Sequence, residues 1–136
     1  MKALVADASV MVDLMLGNIR ESVLARVLKD PEYDLHIPAL CDVEILEAMR
    51  VELVSGRVGP HYALEVLDIY RQLPLTRHEH IGLMPRALGL RHNFTAYDAM
   101  YVALAELLEA QFLTADQSLA RAVAAHTHVR VAQLSY

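Results

Sequence analysis

Asp7, Glu44, Asp98 and Asp116 are the residues of this chain with chemistry to do. Asp7 directly follows the apolar run Lys2–Ala6, and Asp116 comes two places after Phe112-Leu113-Thr114. Asp98 falls inside the first turn of an otherwise apolar stretch, and Glu44 is flanked by Val43, Ile45 and Leu46. An ionised carboxylate among residues that expect burial needs a partner. Several such carboxylates brought together repel and raise one another's pKa, unless a cation lies between them. Oxygen ligands alone, without a cysteine or a histidine cluster beside them, suit Mg2+ or Mn2+ better than zinc. A site of that kind serves phosphoryl chemistry, in which the metal activates a water and neutralises the charge on the departing oxygen. A plainer reading stands beside each acid. Asp7 and Asp116 are good helix N-caps, and Thr95-Ala96-Tyr97-Asp98 fits a capping box. Glu44 lies beyond the expected cap of its helix, so capping does not explain it, and its plainer reading is a solvated surface glutamate, a role that Glu47 fits better.

The elements that must position these acids follow from the hydrophobic pattern. Residues 2–6 read as a buried strand, then residues 8–16 as a helix carrying Val10, Met11, Leu14 and Met15, broken at Gly17-Asn18. A second helix at 20–29 carries Val23, Leu24, Val27 and Leu28, and Asp30-Pro31 stops it. A strand at 35–37 ends at Pro38. The helix at 39–54 is expected to bury Leu40, Val43, Leu46 and Val51, and the helix at 60–73 to use Ala63, Leu64, Leu67, Ile69 and Tyr70. A weak strand at 74–76 and a helix at 80–90, its start blurred by Gly82 and Pro85, come next. The helix opened by Thr95 is apolar on almost every side, through Tyr97, Met100, Tyr101, Leu104, Leu107 and Leu108. A strand at 112–114, a helix at 117–125 with Leu119, Ala120 and Val123, and a last strand at 129–131 complete the chain. Short apolar strands alternating with helices are the signature of an α/β domain whose parallel sheet is covered on both faces. One domain, residues 1–136, accounts for all of it.

In open parallel sheets, sites form at the carboxyl ends of the strands. Asp7 and Asp116 follow two different strands and so share an edge. The helix of Asp98 runs antiparallel to the strand it feeds and therefore begins at that edge, as does the helix carrying Glu44.

Composition narrows the function further. The net charge of −5 excludes nucleic-acid binding through a broad basic surface, but not binding through a cation held by acids. The apolar fraction of 55% suggests a buried sheet, an oligomer interface, or both. No apolar run approaches the roughly 20 residues needed to cross a bilayer. An acid at position 7 comes too early for a secretory signal. The lone Cys41 lies in an apolar segment and reads as a core residue. These features predict a cytoplasmic protein away from the membrane.

Four segments together resemble a known family. They are Val5-Ala6-Asp7-Ala8-Ser9-Val10, Cys41-Asp42-Val43-Glu44-Ile45, Ala96-Tyr97-Asp98-Ala99-Met100-Tyr101-Val102-Ala103-Leu104-Ala105, and Leu113-Thr114-Ala115-Asp116. In order and spacing they are similar to the PIN-domain ribonucleases, most of all to the VapC-type toxins of toxin–antitoxin pairs. The resemblance covers essentially the whole chain, and its most specific part is Tyr97–Ala105. It implies a Mg2+- or Mn2+-dependent endoribonuclease. Asp7, Glu44, Asp98 and Asp116 match the family's acidic metal-binding positions, and Ser9 its small hydroxyl residue. Thr95 and Thr114 would support the acids. It also implies a homodimer, a cognate antitoxin that blocks the site, and a structured cellular RNA as substrate. The chain departs from the pattern after Asp116, where Gln117-Ser118 replaces the basic residue of many relatives, and no further acid follows in Leu119 to Arg121.

Arg91 and His92, just before Thr95, are candidates for holding RNA phosphates, with a solvated loop as the plainer alternative. Arg50 and Arg57 read as surface or salt-bridging residues, His78-Glu79-His80 as a polar turn, and Asp13, Asp42 and Glu47 as acids facing water. The first two helices carry apolar faces large enough to serve a dimer or antitoxin interface, with burial in the core as the default reading. Two other functions compete: a catalytically silent PIN-like module acting through protein or RNA binding, and a receiver-like phosphoryl domain. The latter wants a lysine near a late strand end, whereas Lys2 and Lys29 are both early.

Overall fold

A computed structural model describes residues 1–17 and 23–132. Its elements, in chain order, are β1 (Lys2–Ala6), α1 (Ala8–Leu16), α2 (Val23–Lys29), β2 (Tyr33–Pro38), α3 (Leu40–Val54), α4 (Pro60–Gln72) and β3 (Leu75–His78). A 3-10 turn at Ile81–Leu83 follows, then α5 (Met84–Gly89), α6 (Ala96–Leu108), β4 (Gln111–Leu113) and α7 (Gln117–His126). The strands form one sheet in the order β3-β2-β1-β4, and every pairing is parallel. Successive residues of a strand face opposite sides of the sheet. Leu4, Val5, Ala6 and Phe112 are fully buried and Leu113 is buried, so both faces of β1 and β4 are covered. The expected α/β architecture is what forms.

Several expectations on individual elements change. The helix expected at 20–29 is described from Val23 onward, and its first residues lie outside the described ones. β2 is longer than expected and includes Pro38, whose missing N–H is harmless at a strand end. The helix expected at 80–90 divides into the 3-10 turn and α5, with Pro85 in the first turn of α5, where proline fits. The strand expected at 112–114 runs Gln111–Leu113, leaving Thr114 just past its end. The strand expected at 129–131 is reduced to an isolated parallel bridge, Phe112 to Val131. It is held by Phe112 N–H donating to Arg130 O and Ala132 N–H donating to Phe112 O, each at 2.8 Å. At the end of α1, Gly17 donates its N–H to Asp13 O at 2.9 Å. A Cβ at this position would lie 2.5 Å from that same oxygen, so no larger residue fits the turn.

The largest correction concerns which side of α3 is buried. Val43 is 66% exposed and Leu46 54% exposed, and Val51 is exposed as well. The buried stripe is Cys41, Ile45 and Met49, four residues apart. This helix has two apolar stripes, and periodicity alone does not say which one meets the sheet. At 100° per residue, Asp42 and Glu44 border the chosen stripe on either side. Similarly, α4 buries Ala63, Val66 and Tyr70 and leaves Leu64 and Ile69 exposed. In α6 the run Tyr101–Ala105 is buried on all sides, whereas Tyr97 and Leu107 at its ends are exposed. The apolar residues of α1 and α2 go into the core: Val10, Met11, Leu14, Met15, Leu24 and Val27 are all buried there, together with Cys41.

Candidate active site at the sheet edge

Asp7 leaves β1 in extended conformation and caps α1, Oδ1 accepting from the Val10 N–H at 3.4 Å. Its own N–H donates to Leu113 O at 3.0 Å, which fixes the ends of β1 and β4 side by side. With 6% of its surface exposed, Asp7 is the only buried charged residue among the described ones. Two hydroxyls compensate. Ser9 donates to Oδ1, and Thr114 donates to Oδ2 at 2.6 Å. The hydroxyls are themselves placed by backbone: Ala115 N–H donates to Ser9 Oγ and Asp116 N–H to Thr114 Oγ1, both at 3.0 Å. Burial pushes the Asp7 carboxyl above its ordinary pKa, while the two hydroxyls and the Val10 and Ser9 amides pull it part of the way back.

The other acids arrive from three helices. Asp116 caps α7, Oδ1 accepting from Leu119 N–H at 3.1 Å. Thr95 caps α6 by accepting from the Asp98 N–H at 3.2 Å. Asp98 is thereby fixed in the first turn, and burial, then the charges of Asp7 and Asp116, raise its pKa. Glu44, on the flank of the buried stripe of α3, accepts from the phenol of Tyr101 at 2.8 Å. Its pKa rises through burial and through the charges of Asp98 and Asp7, while the Tyr101 hydrogen bond opposes this.

At the carboxyl edge of the sheet Glu44 therefore feels the charges of Asp98 and Asp7, and Asp98 those of Asp7 and Asp116, and the caps are part of how the acids are placed. Among the described residues, no three His, Cys, Asp or Glu side chains are drawn together as tightly as in a ready-made metal cage. Three of the acids are held above their ordinary pKa values, and this edge would gain from a counter-charge.

Tyr101 is the residue the sequence reading missed, having been taken for plain core. It lies three places after Asp98, on the same side of α6, and that spacing was the available signal. Asp42 corrects a second expectation. It does not simply face water, because Tyr70 Oη donates to its Oδ1 at 2.6 Å and Arg77 Nε to both its oxygens at 3.0 and 3.2 Å. Arg50 and Arg57 pair on the surface with Glu47 and Glu52. Arg91 and His92 are exposed in the turn before α6. The guanidinium of Arg91 donates to Leu88 O at 3.3 Å and rims an apolar pocket formed with Met84, Leu88, Phe94 and Met100.

Comparison with known proteins agrees with this architecture. The family model of the PIN domain matches residues 4–125. Ribonuclease VapC9 of Mycobacterium tuberculosis is 36% identical over 118 residues, covering 85% of this chain and 87% of that protein. Among solved structures, VapBC2 from Rickettsia felis, bound to a promoter DNA fragment, superposes with a TM-score of 0.67 at 11% identity, covering 98% of this chain and 99% of that one. A toxin–antitoxin complex from Klebsiella pneumoniae gives a TM-score of 0.56 at 17% identity, covering 83% and 86%. At such identities the two structures speak for the fold alone.

Proposed function

Because the chain belongs to the PIN domain family, in the branch of the VapC ribonucleases, we propose that it is an endoribonuclease acting as the toxin of a toxin–antitoxin pair. The observation that supports the site assignment is that Asp7 is buried at the end of β1 and that its charge, after burial itself, raises the pKa of both Glu44 and Asp98, with Asp98 also acting on Glu44 and Asp116 on Asp98. Acids coupled in this way at a sheet edge suit a divalent cation, and an oxygen-only donor set suits Mg2+ or Mn2+.

Asp7, Glu44, Asp98 and Asp116 would hold the cation, which when bound supplies an activated water and neutralises charge on the phosphodiester. The protein's own contribution is placement. Ser9 and Thr114 clamp both oxygens of Asp7. Tyr101 keeps Glu44 turned toward the other acids, and Thr95 anchors the turn bearing Asp98. The N-termini of α1, α6 and α7 open at the same edge, so their dipoles favour the approach of a phosphate. The exposed side chains of Arg91 and His92, near the start of α6, are offered as RNA-phosphate contacts. This reading has the protein working in the cytoplasm as a homodimer held in check by an antitoxin protein. No helix among the described residues is long and apolar enough to cross a membrane.

The deciding experiment is cleavage of total cellular RNA by the purified protein with Mg2+ or Mn2+, against the Asp98→Asn variant and a chelator control. Metal-dependent cleavage lost in the variant supports the assignment. Equal cleavage by both proteins removes Asp98 from the site, and absence of any cleavage leaves the silent binding module as the reading that stands.

A further inference from the structure

On β2 and β3, Asp34, His36 and His78 form a chain of contacts that the ribonuclease reading leaves unused. Pro38 is in register with His78 and His36 with Thr76, so the two histidines are diagonal neighbours on one face of the sheet. Their rings lie with centroids 5.0 Å apart, and His36 Nδ1 is 2.8 Å from His78 Nε2. The other nitrogen of His36, Nε2, is 2.7 Å from Asp34 Oδ2.

With both rings neutral, these contacts select one arrangement of the protons. A carboxylate only accepts, so His36 Nε2 carries hydrogen and, in the neutral ring, Nδ1 presents a lone pair. His78 Nε2–H then donates to it. The His36 side chain is 12% exposed, so little water competes for that lone pair. An imidazole with one nitrogen fixed by a carboxylate and the other aimed at a second imidazole is the arrangement that orients histidines for metals.

The geometry points to a second metal site, in which His36 Nδ1 and His78 Nε2 bind a borderline transition cation such as Zn2+ in place of the proton they now share. Zn–N bonds of about 2.0–2.1 Å at a tetrahedral angle set the two nitrogens roughly 3.3 Å apart. The pair must therefore open by only about half an ångström, with water completing the coordination. His78 shifts its proton to Nδ1, and Asp34 remains the orienting partner of His36. Imidazole nitrogens do not suit Mg2+, so the site is chemically separate from the acid cluster. Occupancy would staple the edge strand β3 to β2.

The test is Zn2+ titration by calorimetry in saturating Mg2+, on the parent protein, Asp98→Asn, His78→Gln and Asp34→Asn. One Zn2+ is expected to bind the parent and Asp98→Asn alike. Binding should be lost in His78→Gln and weakened about 10–100-fold in Asp34→Asn, as for other carboxylates that orient a ligating histidine. In the 15N-histidine spectrum of the parent, Zn2+ should move His36 Nδ1 and His78 Nε2 selectively, which tests the site even if a variant folds poorly. Unchanged Zn2+ affinity in His78→Gln, no binding to the parent, or histidine resonances that stay in place would each overturn the site.

Discussion

The phenol of Tyr101 donates to Oε1 of Glu44 across 2.8 Å, joining the buried middle of α6 to the opening turns of α3. Tyr101 is 1% exposed, and burial together with the neighbouring Glu44 and Cys41 keeps its hydroxyl protonated far above the ordinary pKa. It is thus a permanent donor. Tyr101→Phe should weaken the metal dependence of cleavage by about 10–100-fold, as for other groups that orient a ligand. It should also destabilise the fold by roughly 1.5–3 kcal/mol, the range for hydrogen bonds to charged groups. A Mg2+ titration of the cleavage rate and a urea melt check both. An unchanged Mg2+ requirement would reduce Tyr101 to packing.

Thr114 has two tasks, donating to Asp7 Oδ2 and accepting from Asp116 N–H. Thr114→Val keeps the shape and removes both. Cleavage should fall by one to two orders of magnitude, about the cost of losing an orienting group, whereas Thr114→Ser should retain most of the rate. Similar rates for the valine and serine variants would show that the hydroxyl does not matter.

The elevated acids also make a statement about pH. Asp98 is raised by burial first and by Asp7 and Asp116 next, so the folded state binds its proton more tightly than the unfolded state does. Without divalent cation, its contribution to stability is greatest below the unfolded value of about 4 and is lost as pH rises through the raised folded pKa. Asp98→Asn cannot ionise. In chelator at neutral pH it should be more stable than the parent, because it no longer carries a charge that burial and the neighbouring acids disfavour. Added Mg2+ should stabilise the parent and leave the variant unchanged. Thermal melts across pH with and without Mg2+ measure this, and a variant less stable than the parent in chelator would contradict it.

The rotation of α3 has its own test. Val43→Ser should shift the unfolding free energy by no more than about 0.5 kcal/mol, as surface changes do. Ile45→Ala, two residues along, should cost about 2–5 kcal/mol through cavity formation. Comparable losses from both would mean that the helix presents the other stripe to the sheet.

How much of this was legible beforehand depended on the range of the interaction. The sheet, its parallel sense and the edge shared by Asp7 and Asp116 follow from strand length, helix spacing and chain order, which are local signals. Thr95 and Asp116 were readable as caps for the same reason. The buried face of α3 was not, because Val43-Leu46 and Cys41-Ile45-Met49 are both acceptable helical stripes and only the partner surface chooses between them. Tyr101 and Asp42 were misjudged for a related reason. A tyrosine in an apolar run reads as core until the position of Glu44 is known, and Asp42 reads as solvated until Arg77 arrives from a strand far along the chain. The pairing of His36 with His78 needed the register of β2 on β3, which no local pattern reveals.

The clamp on Asp7 joins residues that are far apart along the chain. Thr114 lies 107 residues beyond the carboxylate it holds, and β4 docks directly against β1. During synthesis, Asp7, Glu44 and Asp98 all leave the ribosome before that strand exists, and contacts of such separation are slow to close. A nascent chain therefore has its acids without their scaffold. Cleaving ability should therefore arise late and abruptly, when the first strand receives its last neighbour.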